Sequence, residues 1–305
     1  VWMKGAATAN PAANFGVQGV AAPTNTPSGL YEPYEFQDAA GNFWIFGGRV
    51  SISFQMFADL WRFNPTTNEW TWIKGPGVPN AMPNYGTKGV SAPTNNPGAR
   101  YRGFSWVDNA GNFWIMGGYG YDVNGTQGAL NDLWKYDVTT NEWTWMKGSN
   151  LVGNAGSYGT IQIPSMANNP PAREACSAAW TAANGDLWCY GGEGIPGTYG
   201  DMWKYSPTTN MWTWMSGLNT TNNPANHGTL NVPSPGNYPG SRAVFSRWKD
   251  SNGRFWMYGG IWSGSTYSDI WMFDPATNIW TWKGGTLQLN DPGNYGQNCL
   301  AGGFF

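Results

Sequence analysis

Charged residues are few in this chain, and histidine is almost absent. Only 11% of the 305 residues are charged, with 16 lysines and arginines against 18 aspartates and glutamates, and one histidine is present. Because nucleic-acid binding depends on a basic surface that neutralises phosphates, a net charge of −2 without a basic block argues against such a partner. No apolar run reaches the length of about 18 residues that predicts a membrane span. The first residues, VWMKGAATAN, lack the apolar core of a signal peptide.

Cysteine is nearly as scarce. The three cysteines, Cys176, Cys189 and Cys299, are too few for a disulfide framework and do not have the spacing of zinc ligands. Cys176 and Cys189 are predicted to lie on adjacent strands, where either a disulfide or two buried thiols would fit. Nothing in the sequence points to a metal or another cofactor, and we expect none.

Aromatic residues, glycine and proline are abundant instead. Aromatic residues make up 16% of the chain, and there are 43 glycines and 21 prolines. This composition leaves little room for long helices and predicts β-sheet with many turns. A low lysine content together with many tryptophan, threonine, asparagine and glycine residues favours an extracellular or cell-surface location.

A repeat of roughly 70 residues organises the chain. The tryptophans Trp72, Trp145, Trp214 and Trp282 recur at spacings of 73, 69 and 68 residues. In each copy an apolar run ends in a glycine pair, at 41–48, 111–118, 185–192 and 253–260. Such a run predicts a strand. A further strand is predicted ahead of it, and a short turn connects the two.

A second recurring segment predicts a β-hairpin. It begins at Asp59, Asp132, Asp201 and Asp269, and each of these aspartates lies 11 residues before the first tryptophan of a WTW motif. A constant length around a central Thr-Asn turn is typical of a hairpin, because the turn geometry sets the register of both strands. Each copy therefore has four predicted strands, lettered a to d in chain order, with WTW on strand d.

The order of these segments resembles the kelch motif, known also from galactose oxidase: a glycine pair after an apolar strand, a spacer, an aromatic strand and a tryptophan. The resemblance covers nearly the whole chain and implies an all-β fold, a β-propeller of four-stranded antiparallel blades. Four complete blades are expected at 31–74, 101–147, 174–216 and 243–284. Kelch repeats are usually about 50 residues long. The extra length lies in the d-to-a loops, which we expect to be ordered against a blade.

Partial repeats are predicted at both ends. Residues 1–5 resemble a d strand of a shared blade, and residues 285–305 the start of a next repeat. The open blade would be completed by further chain or by strands of a neighbouring molecule. The alternative is a ring of four blades with residues 1–5 as an added edge strand.

Catalytic candidates are few. The resemblance raises copper oxidase chemistry, but the only histidine, His227, lies in a Gly-rich loop and is expected to be a solvated loop residue. The four recurring aspartates are expected to be structural and to accept backbone N–H bonds. Among the acids that do not recur no spacing singles out a pair; they include Glu32, Glu35, Asp122, Glu174 and Glu193.

Two groups of residues are binding candidates. Arg100, Arg173 and Arg242 each precede a strand a, with Leu30 in that place in the first copy. They could ring a central channel and bind an anionic ligand, or each could pair with a carboxylate or carbonyl of a neighbouring blade. The second group, Tyr119, Tyr121 and Trp262, lies in unequal b-to-c loops and is predicted to be exposed for recognition.

The sequence therefore predicts a non-catalytic extracellular scaffold that binds a protein or a glycan, or that assembles with copies of itself. The alternative function is an extracellular carbohydrate-active enzyme that uses loop carboxylates. Two unrepeated carboxylates within about 5 to 10 Å of each other in one pocket would favour the enzyme, since glycosidases use that range.

Overall fold

The structure of the chain, a computed structural model that describes residues 3–176 and 178–293, is all-β. These described residues form 21 strands and include no helix. Four of the sheets have four antiparallel strands each, and we call them units 1 to 4. The predicted all-β class and the four-stranded antiparallel units are thus confirmed.

The strands follow one another in the same order in every unit. Unit 1 consists of β1 (Tyr34–Gln37), β2 (Phe43–Phe46), β3 (Leu60–Asn64) and β4 (Glu69–Lys74). A small sheet of β5 (Arg100–Tyr101), β8 (Tyr119–Tyr121) and β9 (Gln127–Ala129) adjoins unit 2, which consists of β6 (Phe104–Val107), β7 (Phe113–Met116), β10 (Leu133–Asp137) and β11 (Glu142–Lys147). Unit 3 consists of β12 (Ala178–Thr181), β13 (Leu187–Tyr190), β14 (Met202–Ser206) and β15 (Met211–Ser216). Unit 4 consists of β16 (Ser246–Lys249), β17 (Phe255–Tyr258), β20 (Ile270–Asp274) and β21 (Ile279–Gly284), with β18 (Ile261–Trp262) and β19 (Ser265–Thr266) between its second and third strands.

The third and fourth strands of each unit form a tight hairpin. Its turn contains an asparagine with a left-handed φ of 55–57° in units 1 to 3 and 59° in unit 4, a conformation that asparagine tolerates. In unit 1 the Asn64 side chain accepts the Thr66 N–H at 2.9 Å, and Asp137 accepts the Thr139 N–H at the same distance in unit 2. These short-range bonds fix the turn, so the constant spacing in the sequence reflects a constant hairpin.

The glycine pair that ends the second strand joins neighbouring units in units 1 to 3. The Gly118 N–H donates to the carbonyl of Arg173, just ahead of unit 3, at 2.9 Å. Gly48 and Gly192 make the equivalent bonds, at 2.9 and 3.0 Å, to the arginines ahead of units 2 and 4. Gly118 has φ +86°, and a Cβ there would collide with the Tyr34 hydroxyl and the Tyr101 carbonyl. Glycine is needed because two backbones meet at this point.

Consecutive units pack face to face through aromatic side chains. Three buried clusters fill the spaces between units 1 and 2, units 2 and 3, and units 3 and 4. Phe36 stacks on Phe113 with ring centroids 4.6 Å apart, and Trp180 stacks on Phe255 in the same manner at 5.1 Å. Each sheet therefore buries its apolar residues against another copy of the repeat, as expected for units that cannot bury both faces alone.

The long loops lie along the outer edges of the sheets. In each loop one asparagine, almost fully buried, donates its side-chain N–H to the first WTW tryptophan carbonyl of the unit that follows: Asn25 to Trp70, Asn95 to Trp143, Asn168 to Trp212 and Asn237 to Trp280, at 3.1, 2.9, 3.1 and 3.2 Å. The loop backbone adds a second bond, such as that from the Gly89 N–H to the Trp145 carbonyl at 2.8 Å. The expectation of ordered loops is confirmed, and the loops cover edges that would otherwise be open to pairing with other chains.

The first strands of the units border a common cavity. Strands β1 and β6, β6 and β12, and β12 and β16 are in contact, and residues from all four line a cavity of about 420 Å³. Glu35 and Phe43 of unit 1 and Arg247 of unit 4 all border it.

Some of the predicted terminal features lie outside the described residues. These are Val1 and Trp2 of the predicted strand 1–5, Cys299, and residues 294–305 of the predicted next repeat. Within the described part of these segments, Met3–Gly5 contains no strand. The Lys4 ammonium group bonds to the Pro23 carbonyl at 2.8 Å and to the Asn68 carbonyl at 3.0 Å, so this segment lies against unit 1.

A glycine substitution tests the contact between units. We expect Gly118→Ala to lower the free energy of unfolding by more than about 3 kcal/mol, since overlap with rigid backbone is one of the few causes of large losses. Gly111→Ala is the matched control, because Gly111 has φ +83° but open space around a Cβ, so it should cost only about 1 kcal/mol. Urea unfolding measures both variants. Equal losses would contradict the assigned role of the glycine pair.

Candidate functional site

The three arginines predicted as binding residues are buried in ion pairs. Arg100, Arg173 and Arg242 have no exposed surface, and each faces the aspartate just ahead of the third strand of its own unit. The Arg173 guanidinium binds Asp201 through bonds of 2.7 and 2.9 Å and donates to the Gly191 carbonyl at 3.0 Å. The alternative of a structural pairing is therefore confirmed. The prediction that the partner belongs to a neighbouring blade is wrong, because each arginine pairs within its own unit. Fully buried pairs offer an external anion no surface.

Each aspartate also binds donors from the long loop and from a tryptophan. Asp201 accepts the Tyr158 hydroxyl at 2.6 Å and the Trp203 indole N–H at 2.7 Å. In unit 4, His227 takes the place of the tyrosine, with Nε2 3.0 Å from an Asp269 carboxylate oxygen and its side chain only 13% exposed. The expectation that His227 is a solvated loop residue is therefore wrong, because its loop packs onto the unit. The aspartates are structural, but in units 2 to 4 the donors shown are side chains rather than the expected backbone N–H groups.

Hydrogen bonds and the neighbouring arginine lower the pKa of two of these buried carboxyl groups, Asp201 and Asp269. Burial alone would raise the pKa of Asp201, but the charge and hydrogen bonds of Arg173 lower it below its usual range. Burial likewise acts to raise the pKa of Asp269, and hydrogen bonds from His227 and Arg242 lower it to about 2. Each cluster is thus a paired charge inside the fold, which is the condition under which buried charges are tolerated.

Unit 1 departs from this arrangement. Leu30 replaces the arginine and Phe15 replaces the tyrosine, so Asp59 faces apolar side chains while it is only 2% exposed. Its Oδ1 accepts the Gly77 N–H at 2.8 Å and the Trp72 indole N–H at 3.1 Å, but Oδ2 has no hydrogen-bond partner among the residues that the structure describes. Burial raises the pKa of Asp59 to about 6 despite these two hydrogen bonds. This carboxyl group is therefore buried without the cation that its equivalents in units 2 to 4 have.

A second set of equivalent positions has a different side chain in every unit. The residue after the arginine (Leu30 in unit 1) forms an antiparallel bridge with the residue after the glycine pair, and we call these the bridge pairs: Tyr31 with Arg49, Tyr101 with Tyr119, Glu174 with Glu193, and Ala243 with Ile261. Directly opposed residues of an antiparallel pair project to the same face. The same backbone therefore presents a cationic and aromatic pair, an aromatic pair, an acidic pair and an apolar pair in turn.

The first two bridge pairs form one aromatic and cationic cluster. The Arg49 guanidinium lies 5.5, 4.9 and 4.8 Å from the ring centroids of Tyr31, Phe54 and Tyr101, and it donates to the Tyr101 hydroxyl at 3.2 Å. Tyr119 contacts Tyr101 edge to face at 5.9 Å. Tyr31 is 46% exposed, so part of the cluster is open to a ligand.

The acidic bridge pair borders a groove next to this cluster. The Glu174 and Glu193 backbones exchange two hydrogen bonds of 2.7 Å, which holds the two side chains next to each other. The groove has a volume of about 330 Å³, and Tyr119, Gln127 and Thr198 also line it. Burial raises the pKa of Glu174, Arg102 opposes this effect, and the charge of Glu193 adds to it. The groove thus joins two carboxylates to an aromatic ring.

The link between the clusters is Arg102. Its guanidinium lies 2.6 Å from Glu32 and 3.5 Å from Glu174, and so it joins residues that lead into units 1 and 3. Arg102 itself has a left-handed φ of 64°, and Glu32 has one of 48°. Non-glycine residues in this region are uncommon and mark positions that the surrounding structure holds firmly.

The side chains of the other predicted recognition residues are less exposed to solvent than expected. Tyr119 and Tyr121 are half-buried on β8, and the Tyr121 hydroxyl accepts a hydrogen bond from Gln127 at 2.7 Å. Trp262 is also half-buried and stacks on Tyr267 with centroids 6.4 Å apart. Tyr119 belongs to a bridge pair and lines the groove, whereas Trp262 is next to Ile261 in unit 4. The structure thus places Tyr119 and Tyr121 together beside unit 2 and Trp262 in unit 4.

Sequence reasoning missed Tyr31, Arg49 and Tyr101 as site residues. The signal was present in the alignment of the repeats, since the position after each glycine pair holds Arg49, Tyr119, Glu193 and Ile261. Positions that vary beside unvarying neighbours are candidates for a role that the repeat itself does not require.

The two described cysteines are free thiols. Cys189 lies on β13 and is buried, and Cys176 lies just ahead of β12. Burial raises the pKa of both thiols, which makes them poor nucleophiles. Of the two possibilities that the sequence left open, the structure shows unpaired thiols.

The described residues contain neither a cluster of metal-ligating side chains nor a helix that could span a membrane. No group of three or more histidine, cysteine, aspartate or glutamate side chains in residues 3–176 and 178–293 could hold a metal ion. In that same part of the chain no helix has the length and apolar character to cross a membrane.

Comparison of the chain with protein-family models gave no match, and a search of curated proteins found no relative. The repeat, the four units and the bridge pairs are therefore the basis for proposing a function.

The buried ion pairs can be tested by removing one partner. Arg173→Met should lower the free energy of unfolding by about 3 to 5 kcal/mol, because it leaves Asp201 as an unpaired buried charge. Lys204→Met breaks the half-exposed ion pair with Asp186, 3.5 Å long, and should cost less than about 1 kcal/mol. Urea unfolding at pH 7 measures both. A loss at Arg173 as small as that at Lys204 would refute the pairing.

Asp59 predicts an unusual pH dependence. Its folded pKa of about 6 lies above the ordinary value of 3.8, so the folded state prefers the protonated carboxyl group. This contribution to stability is complete below pH 3.8 and is lost as the pH rises through 6, by about 3 kcal/mol in total.

Asp59→Asn should therefore be more stable than the parent chain at pH 7.5 and equal to it near pH 4. Unfolding free energies at both pH values check this. Asp201→Asn is the control, and it should be less stable than the parent at pH 7.5 because Asp201 has a lowered pKa. An Asp59→Asn variant that gains nothing at pH 7.5 would contradict the assignment.

Proposed function

We propose that the chain is an extracellular kelch-type β-propeller without catalytic activity, and that it binds a glycan or a protein through the bridge pairs. Four antiparallel units that pack face to face around a common cavity support the propeller architecture. The observation that carries the binding function is the variation of the bridge pairs on an otherwise repeated backbone. A scaffold that repeats its interior but varies one surface is suited to specific recognition.

The chemistry of the groove favours a glycan. Tyr119 offers a ring on which the C–H face of a sugar can stack, and Glu174 and Glu193 offer acceptors for its hydroxyl groups. Gln127 also lines the groove and can both donate and accept hydrogen bonds there. Small-molecule sites generally combine a few such polar groups with an aromatic or apolar wall.

Binding to a glycan array tests this function. Tyr119→Ala and Glu174→Gln should each weaken binding of the captured glycan by about tenfold, since aromatic contacts and charged hydrogen bonds contribute about 1 to 2 kcal/mol each. Tyr258→Ala and Glu142→Gln are matched controls on other surfaces and should leave binding unchanged. Binding that none of these variants alters would place the ligand elsewhere, and an array without bound glycan would count against the glycan.

The acidic bridge pair favours a second candidate function, a carbohydrate-active enzyme. Directly opposed residues have Cβ atoms about 5 Å apart, so the two carboxyl groups can lie at the separation that glycosidases use. The raised pKa of Glu174 suits a general acid. An enzyme would release reducing sugar from the bound glycan and lose this activity in Glu174→Gln, whereas the proposed scaffold would bind the glycan and leave it intact.

A further inference from the structure

The outer faces of units 1 and 4 point to a partner that binds away from the bridge pairs. Each contact between units uses two faces of the repeat, a leading face on one unit and a trailing face on the next. On the leading face, Phe36, Trp106, Trp180 and Trp248 occupy equivalent positions, and on the trailing face Phe43, Phe113, Leu187 and Phe255 do so. Phe36 stacks on Phe113, and Trp180 on Phe255.

Two of these faces are uncovered. Trp248 of unit 4 is 41% exposed, whereas its equivalents in units 1 to 3 are at most 6% exposed. Phe43 of unit 1 is 48% exposed, and its equivalents are fully buried. Tyr258, next to Trp248 on the leading face of unit 4, is also 48% exposed, whereas Phe46, Met116 and Tyr190 in its place are fully buried.

The uncovered face of unit 4 already has the form of a packing surface. Trp248 and Trp256 stack with ring centroids 6.0 Å apart and 12° between their planes. Trp256 is equivalent to Trp188, which contacts Phe255 edge to face at 5.6 Å in the packed interface. A partner that presents a phenylalanine or leucine at this place would reproduce the interface between units 3 and 4.

The two uncovered faces lie on either side of one gap. Phe43 of unit 1 and Arg247 of unit 4 border the common cavity of about 420 Å³, as residues of units 2 and 3 do, and the Glu35 charge of unit 1 acts on the Arg247 guanidinium. The first strands of units 1 and 4 therefore approach each other at this cavity. A second intact copy could place its unit 1 on Trp248. Its other three units would then have to occupy the same region as unit 1 of this chain. The gap therefore suits one unit with two packing faces and does not suit a whole second copy.

The first described residues show where the outer strand of that unit would lie. Lys4 bonds to the Pro23 carbonyl at 2.8 Å, as Lys74 does to Pro93 at 2.9 Å and Lys147 to Met166 at 2.7 Å. Lys74 and Lys147 end the fourth strands of units 1 and 2. Lys4 thus has the position of a lysine at the end of the fourth strand of a unit that precedes unit 1.

We infer that the uncovered faces bind one additional repeat unit, which supplies the first three strands of a sheet whose fourth strand leads to Met3 and Lys4. The partner presents an apolar residue of the Phe113 type to Trp248 and an aromatic residue of the Trp106 type to Phe43. It is a polypeptide with the chemistry of this chain's own repeat, and it closes the gap between units 1 and 4.

Joining such a unit to the chain tests the inference. A copy of residues 99–137, which contains the first three strands of unit 2, is fused after Phe305 through a flexible linker. Hydroxyl-radical footprinting then measures the oxidation rates of individual side chains. The rates at Trp248, Tyr258 and Phe43 should fall about fivefold or more, since their exposure would approach that of buried equivalents. The rate at Tyr31, which lies in a bridge pair, should not change.

The matched control carries Phe113→Glu in the fused copy only, and it should restore the oxidation of Trp248. A second fusion carries a copy of residues 172–206 from unit 3. It provides an independent test in case the copy of residues 99–137 does not fold. If neither fusion protects the three side chains, the inference is wrong. It is also wrong if the unmodified chain sediments as a dimer in which Trp248 and Phe43 are already protected, because the partner would then be a second copy.

Discussion

The buried arginine ahead of units 2 to 4 is the residue on which the packing of the repeat depends. The side chain of Arg173 binds Asp201 and the Gly191 carbonyl within unit 3, while its own carbonyl accepts the Gly118 N–H from unit 2. One residue thus sets the position of two strands in its unit and the contact with the preceding unit. A buried ion pair adds little net stability, but each partner is indispensable once the other is present. Asp59 shows the consequence of its absence, because Leu30 leaves a buried carboxyl group without a cation and with a raised pKa.

This division between interior and surface explains how the repeat can carry a specific site. The arginine, the glycine pair and the aspartate surround the backbone of the bridge pairs in units 2 to 4, and the same bridge forms in unit 1 without the arginine. The bridge-pair side chains take no part in the buried arginine–aspartate pairs, so Tyr31, Tyr119 and Glu174 can differ without breaking those pairs. A framework of this kind separates stability from recognition, and it places the positions that vary next to one another across neighbouring units.

The sequence predicted what depends on short-range geometry and failed where distant segments meet. The hairpins follow from a constant spacing, because a turn of fixed length has few solutions. The burial of His227 was not predictable in this way, since it arises from a long loop that packs onto a later unit and brings the imidazole to Asp269. The partner of Arg173 was misjudged for the same reason: Asp201 lies 28 residues further along the chain. The acidic pair Glu174 and Glu193 was named only as separate candidates, because their bridge depends on the fold.

The edges and the faces of the units differ in whether they remain available for contact with a further unit. The fourth strand of every unit is covered by a long loop, through bonds such as that from Asn237 to the Trp280 carbonyl. Because the outer edges are occupied, strand pairing cannot extend these sheets there, and the first strands meet around the inner cavity. Only face packing remains, and it is used three times inside the chain. The repeat can therefore extend in one direction only, from the leading face of unit 4 to the trailing face of unit 1. Trp248 and Phe43 are exposed because they stand at the two ends of that series.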